Sequence, residues 1–245
     1  MSAAELTALS VDRHPWDWYV DEGWETEALL RSTPIGHEMF VTESDVPVWD
    51  PCCGRGAILW AFAKDEFSVI GSDIAARGCR DEWFAGEYDF LELNASPHER
   101  VKDVFWEETA RLSIAFNPPY SLQNGEMVRG LTERFCRRAI RIATDKVCAL
   151  VPTKWLSSQG RFALFNDHPP RAIYILSERA SMPPGTMIDA MGDAAFQGGK
   201  IDYMWVIWDN RYAVAKGGTR IGWIEPRDDV ARAFDKHDRK MGLRP

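Results

Sequence analysis

The 245-residue sequence has no CxxC pair, and its five cysteines (Cys52, Cys53, Cys79, Cys136, Cys148) stand at no ligand spacing from its five histidines. That excludes the common zinc-binding patterns, so no metal is expected. An odd cysteine count without a secretion signal fits a reducing cytoplasm rather than a disulfide framework. Met1 to Ser10 lacks a basic region followed by an apolar core, so export is not expected. No apolar run approaches the length of a membrane span, and a membrane partner is not expected either. The chain has no internal repeat and no low-complexity tract, which excludes solenoids and extended linkers. It also has no cationic surplus: a net charge of −8 argues against an indiscriminate coat for nucleic acid.

What is present is an ordinary globular composition, 45% hydrophobic and 27% charged, at a length suited to one sizeable core. A single domain over residues 1–245 is expected. It has an N-terminal extension over 1–45, a flexible loop over 182–199 and a tail over 209–245 containing a charged helix from Asp228 to Lys240. The loop is read from its four glycines and two prolines. Charge is uneven. From Met127 to Arg179 there are ten bases and four acids, either a solvated helix face or a patch turned to phosphate.

The most informative stretch is Asn117-Pro118-Pro119-Tyr120, directly after the apolar run Leu112–Phe116. The run reads as a buried parallel strand, and two prolines must end it. They leave a stiff platform at a strand's carboxyl end, where open α/β sheets bind ligands. Asn117 and the Pro118 carbonyl can accept hydrogen bonds from an exocyclic amino group, and Tyr120 can stack on a base. Taken alone, the tetrapeptide also reads as an ordinary strand-ending turn.

Three earlier strand ends give it context. Val46–Trp49 reads as a strand, Asp50-Pro51-Cys52-Cys53-Gly54-Arg55-Gly56 as the loop leaving it, and Ala57–Ala63 as a helix. Strand, glycine loop and helix is the arrangement in which backbone approaches a ligand closely. Ser68–Ile74 is a second strand, ending in Asp73 about twenty residues past that loop, where nucleotide folds place a ribose-binding carboxylate. Glu87–Leu91 reads as a third strand end, with Asp89 and then Phe90. Each acid alone is also an ordinary cap or turn residue; three acid-tipped strand ends before Asn-Pro-Pro-Tyr are hard to ascribe to capping. Further on, Gly125–Thr144 reads as a helix, Lys146–Pro152 as a strand and Ser158–Phe165 as a short helix. Arg171–Ser177 and Ile201–Trp208 read as two more strands. The aromatics of Trp16–Trp24, ahead of a helix from Glu25 to Leu30, read as packing.

DPCCGRG, GSDI, YDFL and NPPY, in that order and spacing, resemble the S-adenosylmethionine-dependent N6-adenine DNA methyltransferases, especially small solitary forms from phages and prophages. KVCALVPTKWL, GRFALF, AIYILSERASM and YMWVIWDN extend the resemblance over about residues 14 to 210. It implies a Rossmann-like α/β fold: a doubly wound, mostly parallel seven-stranded sheet whose last strand is antiparallel and forms a hairpin with its predecessor. It implies S-adenosyl-L-methionine as cofactor. Asp50, Cys52, Gly54 and Gly56 would line its methionine part, Asp73 and Ile74 would meet ribose and adenine, and Asp89 with Phe90 the adenine. Asn117, Pro118, Pro119 and Tyr120 would form the catalytic site for an adenine in DNA, flipped from the duplex. Its setting would be the cytoplasm of a bacterial or phage-infected cell. The resemblance departs at Asp21-Glu22, where the family usually carries a Thr-Pro pair, and in lacking a large target-recognition domain. RNA adenine and a protein glutamine side chain are alternative methyl acceptors. Glutamine-modifying relatives usually carry a helical substrate domain where only about fifty residues stand here. A module of this fold kept only for binding nucleic acid is the alternative of a different class; intact Asn117, Asp73 and Gly54 speak against it.

Overall fold

The computed structural model describes residues 14–32, 46–92, 111–215 and 218–244. In chain order the strands are β1 (Val48–Asp50), β2 (Val69–Asp73), β3 (Phe84–Glu87), β4 (Ser113–Phe116), β5 (Leu122–Gln123), β6 (Glu126–Met127), β7 (Lys146–Pro152), β8 (Ala172–Leu176), β9 (Tyr203–Asp209) and β10 (Arg220–Ile224). The helices are α1 (Trp24–Ser32), α2 (Ala57–Lys64), α3 (Leu131–Ile142), α4 (Gln159–Asp167), α5 (Gly185–Met191) and α6 (Asp229–Lys240).

Eight strands form one sheet in the order β10-β8-β9-β7-β4-β1-β2-β3. All neighbours are parallel except β9, which runs antiparallel to both β7 and β8. The expected fold class stands, with one strand more than expected. The antiparallel strand is β9, inserted between β7 and β8, and β10 then adds a parallel edge beside β8.

Both faces of the sheet are covered, which explains the near-continuous apolar strands. Val48, Val69, Ala115, Leu150 and Trp205 point to one face, against Leu29, Leu30, Leu59 and Phe62 of α1 and α2. Their chain neighbours Trp49, Ile70, Ile114, Val151 and Val206 point to the other, against Phe135, Cys136 and Ala139 of α3 and Leu164 of α4. Each large apolar side chain buried this way contributes about 1.5–3 kcal/mol. Gly71 in β2 is required by close approach: a Cβ there would come within 2.7 Å of Leu59 Cδ1 and 2.8 Å of Cys53 Sγ.

Three elements differ from the sequence expectation. The third strand, expected to end over Glu87–Leu91, runs over Phe84–Glu87 and leaves Asp89 and Phe90 in the turn that follows it. The helix expected over Gly125–Thr144 begins only at Leu131, and Val128 lies outside it. Leu122–Met127 instead makes the β5–β6 hairpin, its turn carried by Asn124 (φ 51°) and Gly125 (φ 78°). Two positive φ values in succession are what a tight hairpin turn requires, and Asn-Gly satisfies them at low cost. Residues 182–199, expected as a flexible loop, contain α5 and a short 3-10 helix, Gly192–Ala195.

Candidate active site

The chain lays β2 and β3 to one side of β1 and then returns with β4 on its other side. The crevice at the carboxyl ends of β1 and β4 is therefore the topological switch point. Asp50-Pro51-Cys52 leaves one wall of it and Asn117-Pro118-Pro119 the other. They touch: Cys52 Sγ donates to the Asn117 carbonyl oxygen at 3.3 Å.

A cleft of about 580 Å³, its open mouth included, runs along these strand ends. Cys52, Asp73, Ile74, Asp89, Phe90, Asn117 and Pro119 line it together with Pro51, so seven of the expected cofactor or catalytic positions are brought together there. Asp50, Gly54, Gly56, Pro118 and Tyr120 stand behind the lining. Asp50 is buried, and its Oδ1 accepts from the Cys52 N–H at 3.0 Å. Gly56 has φ 88° and caps α2. A Cβ on it would lie 3.0 Å from Cys79 Sγ. The Gly54 N–H donates to Asp73 Oδ2 at 2.8 Å, which ties the loop after β1 to the end of β2. Asp73 Oδ1 takes the Arg77 guanidinium at 3.3 Å. Asp89 holds its own turn through the Leu91 N–H at 2.8 Å and accepts from Gln123 Nε2 at 3.0 Å.

Asn117 is held on both edges of its amide. Its Nδ2 donates to Asp21 Oδ1 at 2.6 Å, and its Oδ1 accepts from the Tyr120 hydroxyl at 2.9 Å. The Tyr120 ring lies beside Tyr19, with centroids 6.1 Å apart and planes at 29°, and beside Tyr203 at 6.5 Å. A base stacked on Tyr120 has to displace Tyr19 or share its face. Thr132, in the first turn of α3, donates to the Pro119 carbonyl at 3.0 Å and lies 3.3 Å from that of Tyr120.

The cleft has a wall the sequence reading took for packing. Trp16, Asp17, Trp18 and Tyr19 line it as a strap. Asp17, at φ 49°, accepts from both the Ser121 and Leu122 N–H groups at 2.7 Å. On the other side the Val20 N–H donates to the Pro183 carbonyl at 3.0 Å, and Gly185 N–H to that of Trp18. Arg77 stacks over the Trp18 ring at 4.5 Å. The cluster Trp16-Asp17-Trp18-Tyr19 was the available signal. Nothing in its spacing reveals the loop a hundred residues away that it clamps.

Desolvation governs the electrostatics. Burial raises the carboxyls of Asp50 and Asp73, and brings Asp21 up to about 6. Burial likewise pushes the Cys52 thiol up, away from thiolate. The folded pKa of Asp21 lies above its unfolded value near 3.8, so between about pH 4 and 6 the folded chain holds more protons than the unfolded one. Stability from this group is present below that window and lost as pH rises through it, by about 2–3 kcal/mol for a partly buried carboxyl. Urea unfolding of the wild type and of Asp21→Asn at pH 4.5 and 7.5 measures it. The variant should lose less stability over that interval, and parallel losses would contradict the assignment.

The basic surplus between Met127 and Arg179 is not one phosphate-facing patch. Lys146 is buried on Asp145 at 2.8 Å, Arg137 bridges Glu133 and Asp167, Arg171 sits on Asp209 and Arg179 on Asp202. Arg129, Arg134, Arg141 and Lys154 remain exposed. Among the described residues no cluster of three or more His, Cys, Asp or Glu is placed to hold a metal, and no helix is long and apolar enough to cross a membrane.

No protein-family model matches the sequence, and no curated protein matches it at a significant level. Solved structures do match its fold. The EcoKI type I restriction enzyme M protein aligns at 12% identity and a TM-score of 0.52, over 96% of this chain and 57% of that one. A type I restriction-modification methyltransferase subunit from Streptococcus thermophilus aligns at 11% and 0.50, over 88% and 52%. The chain thus spans little more than half the length of either subunit. A putative RNA methyltransferase from Pyrococcus horikoshii aligns at 14% and 0.50, over 84% of this chain and 95% of that one. These identities speak to architecture alone, and the architecture is definite: this chain shares the doubly wound fold of these methyltransferases.

Proposed function

We propose that the protein transfers a methyl group from S-adenosylmethionine to the exocyclic N6 of adenine in DNA. The observation that carries this reading is Asn117, fixed at the end of β4 and joined through its backbone to Cys52 at the end of β1. The cleft suits the cofactor's chemistry along its length. Buried Asp50 lies at the end nearest Asn117, where a cation lowers the cost of ionising it. Asp73 and Asp89 offer acceptors farther along, between the apolar walls of Ile74 and Phe90. Cys52 and the Gly54–Gly56 loop would border the methionine part, Asp73 the ribose, and Asp89 with Phe90 the adenine.

When bound, S-adenosylmethionine supplies an electrophilic methyl carbon on a sulfonium. The residues of this chain have the remaining task. An adenine amino nitrogen is a poor nucleophile because its lone pair is delocalised into the ring. Asn117 Oδ1 and the Pro118 carbonyl, accepting its two N–H groups, would favour a pyramidal nitrogen and aim its lone pair into the cleft. Positioning of this kind supplies much of the acceleration in a two-substrate reaction. Cys52 takes no part as a nucleophile, since its thiol is held protonated.

One observation favours RNA adenine as a second reading: the chain matches nearly the full length of a putative RNA methyltransferase but only half of the DNA-modifying subunits. Incubation with isotope-labelled cofactor and a mixture of DNA and RNA, followed by mass spectrometry of the nucleosides, separates the two. Labelled N6-methyldeoxyadenosine is expected. Label confined to ribonucleosides would transfer the assignment to RNA, and label in neither would refute both.

A further inference from the structure

We propose that Asp21 is a positioning residue that sets which edge of the Asn117 amide faces the target nitrogen; the inference rests on the adenine-methyltransferase reading of the site. Asp21 is not among the residues that line the cleft. Its Oδ1 accepts from the Asn117 amide Nδ2 at 2.6 Å. The two ends of an asparagine amide are nearly the same size, so packing alone discriminates weakly between an orientation and its reverse. An ionised carboxylate does discriminate, because it accepts hydrogen bonds and donates none. With Asp21 ionised, Nδ2 must turn toward it and Oδ1 toward the Tyr120 hydroxyl. Tyr120 Oη donates to that oxygen at 2.9 Å, which occupies one lone pair and leaves the other for an incoming amino group.

Protonation removes the discrimination. A neutral Asp21 can donate to Oδ1 of the reversed amide, and the Tyr120 hydroxyl can accept from Nδ2. Both partners stay satisfied, while the cleft now meets an N–H donor where it needs an acceptor. The surroundings of Asp21 make this protonation accessible. The groups facing it are anionic or neutral: Glu22 and Glu25 at the start of α1, Asp50 at the end of β1, Tyr120 after β4 and Tyr203 on β9. The nearby cations Arg227 and Arg239 are held on Glu22, at 3.5 and 2.9 Å. Burial brings its carboxyl to about 6, against the opposing pull of the Asn117 hydrogen bond.

The test compares the full chain with Asp21→Asn, whose own amide can present either edge. Three quantities are measured: turnover against pH at saturating cofactor and DNA, the cofactor Kd, and the Asn117 side-chain amide resonances against pH. Wild-type turnover should show an acid limb near pH 6. The variant should lose that limb and turn over about 100-fold more slowly, a cost of the size expected from misplacing a reacting group. Its cofactor Kd should stay within about 3-fold of wild type, well short of the tenfold that 1.4 kcal/mol represents. The Asn117 amide protons should titrate near pH 6 in the wild type and not in the variant. A variant with lowered melting temperature but unchanged turnover per folded molecule would overturn the proposal, as would Asn117 resonances that ignore pH in the wild type. Should the wild type methylate no nucleic acid while those resonances titrate, the reading of the reaction falls and the control of Asn117 by Asp21 stands.

Discussion

Asn117→Ala is expected to fold, bind cofactor and bind nucleic acid, yet lose about 2–4 kcal/mol of barrier lowering, comparable to removing one oxyanion-hole donor. The loss should fall on turnover rather than on KM, because the acceptor strengthens only as the nitrogen pyramidalises. Asn117→Asp makes a sharper comparison. It keeps an acceptor, but faces Asp21 with a second carboxylate where the amide now sits at 2.6 Å. Two carboxylates at that distance cannot both be ionised, so one proton will be shared between them. Turnover of Asn117→Asp should therefore peak at a different pH from the wild type. The exchanged pair, Asp21→Asn with Asn117→Asp, should recover part of the lost rate by restoring one acid and one amide. Single-turnover rates for the four proteins across pH 5–9 decide the matter. Equal rates in all four, with only melting temperature affected, would reduce Asn117 to a strand-ending residue.

The second large effect is on stability. Arg244, near the end of the chain, is almost fully buried, with its side chain 2% exposed. It donates to the Glu22 carbonyl at 2.9 Å and to Glu27 at 3.0 Å, pairs with Asp235 of α6, and stacks over Trp60 at 4.5 Å. Arg227 joins the same cluster, donating to Glu178 at 2.7 Å and lying over Trp24 at 4.0 Å. Removing one member of a buried ionic cluster leaves the others desolvated without compensation, at a cost of about 3–5 kcal/mol. Arg244→Ala should fall in that range by urea unfolding. Arg244→Lys should lose less, though not nothing, because a point charge cannot replace a planar fork that reaches three acceptors. A change under 1 kcal/mol for Arg244→Ala would mean that the tail is an appendage.

Much of the cleft was legible in the sequence because each piece is local. Asp50, Asp73, Asp89 and Asn117 each end or follow a strand whose apolar run and turn residues lie within a few positions, and parallel topology gathers such ends on one edge. What was not legible depends on distant pairing. Trp16–Tyr19 reads as packing until Asp17 is seen to bind Ser121 and Leu122. Arg227, Asp235, Arg239 and Arg244 read only as part of a charged tail, since nothing near them signals that Glu22 and Glu27 await them. β10 went unseen because Arg220–Ile224 carries a central glycine and leaves Ile221 and Trp223 exposed, so its pattern is not that of a buried strand. The Asn124-Gly125 turn was present in the sequence, but the apolar spacing of α3, extended too far back from Leu131, masked it.

The double hydrogen bond accepted by Asp17 has a mechanical consequence. It makes the strap over the cleft and the loop after Tyr120 a single body, joined by two bonds of 2.7 Å between segments over a hundred positions apart. A cleft wall and a loop joined in this way cannot be reshaped separately. Any ligand that shifts Trp16–Tyr19 shifts the ground on which the second ligand sits, and by thermodynamic reciprocity the second acts on the first with the same free energy. Substrate affinities measured one at a time should therefore differ from those measured together, and the difference should vanish in Asp17→Ala.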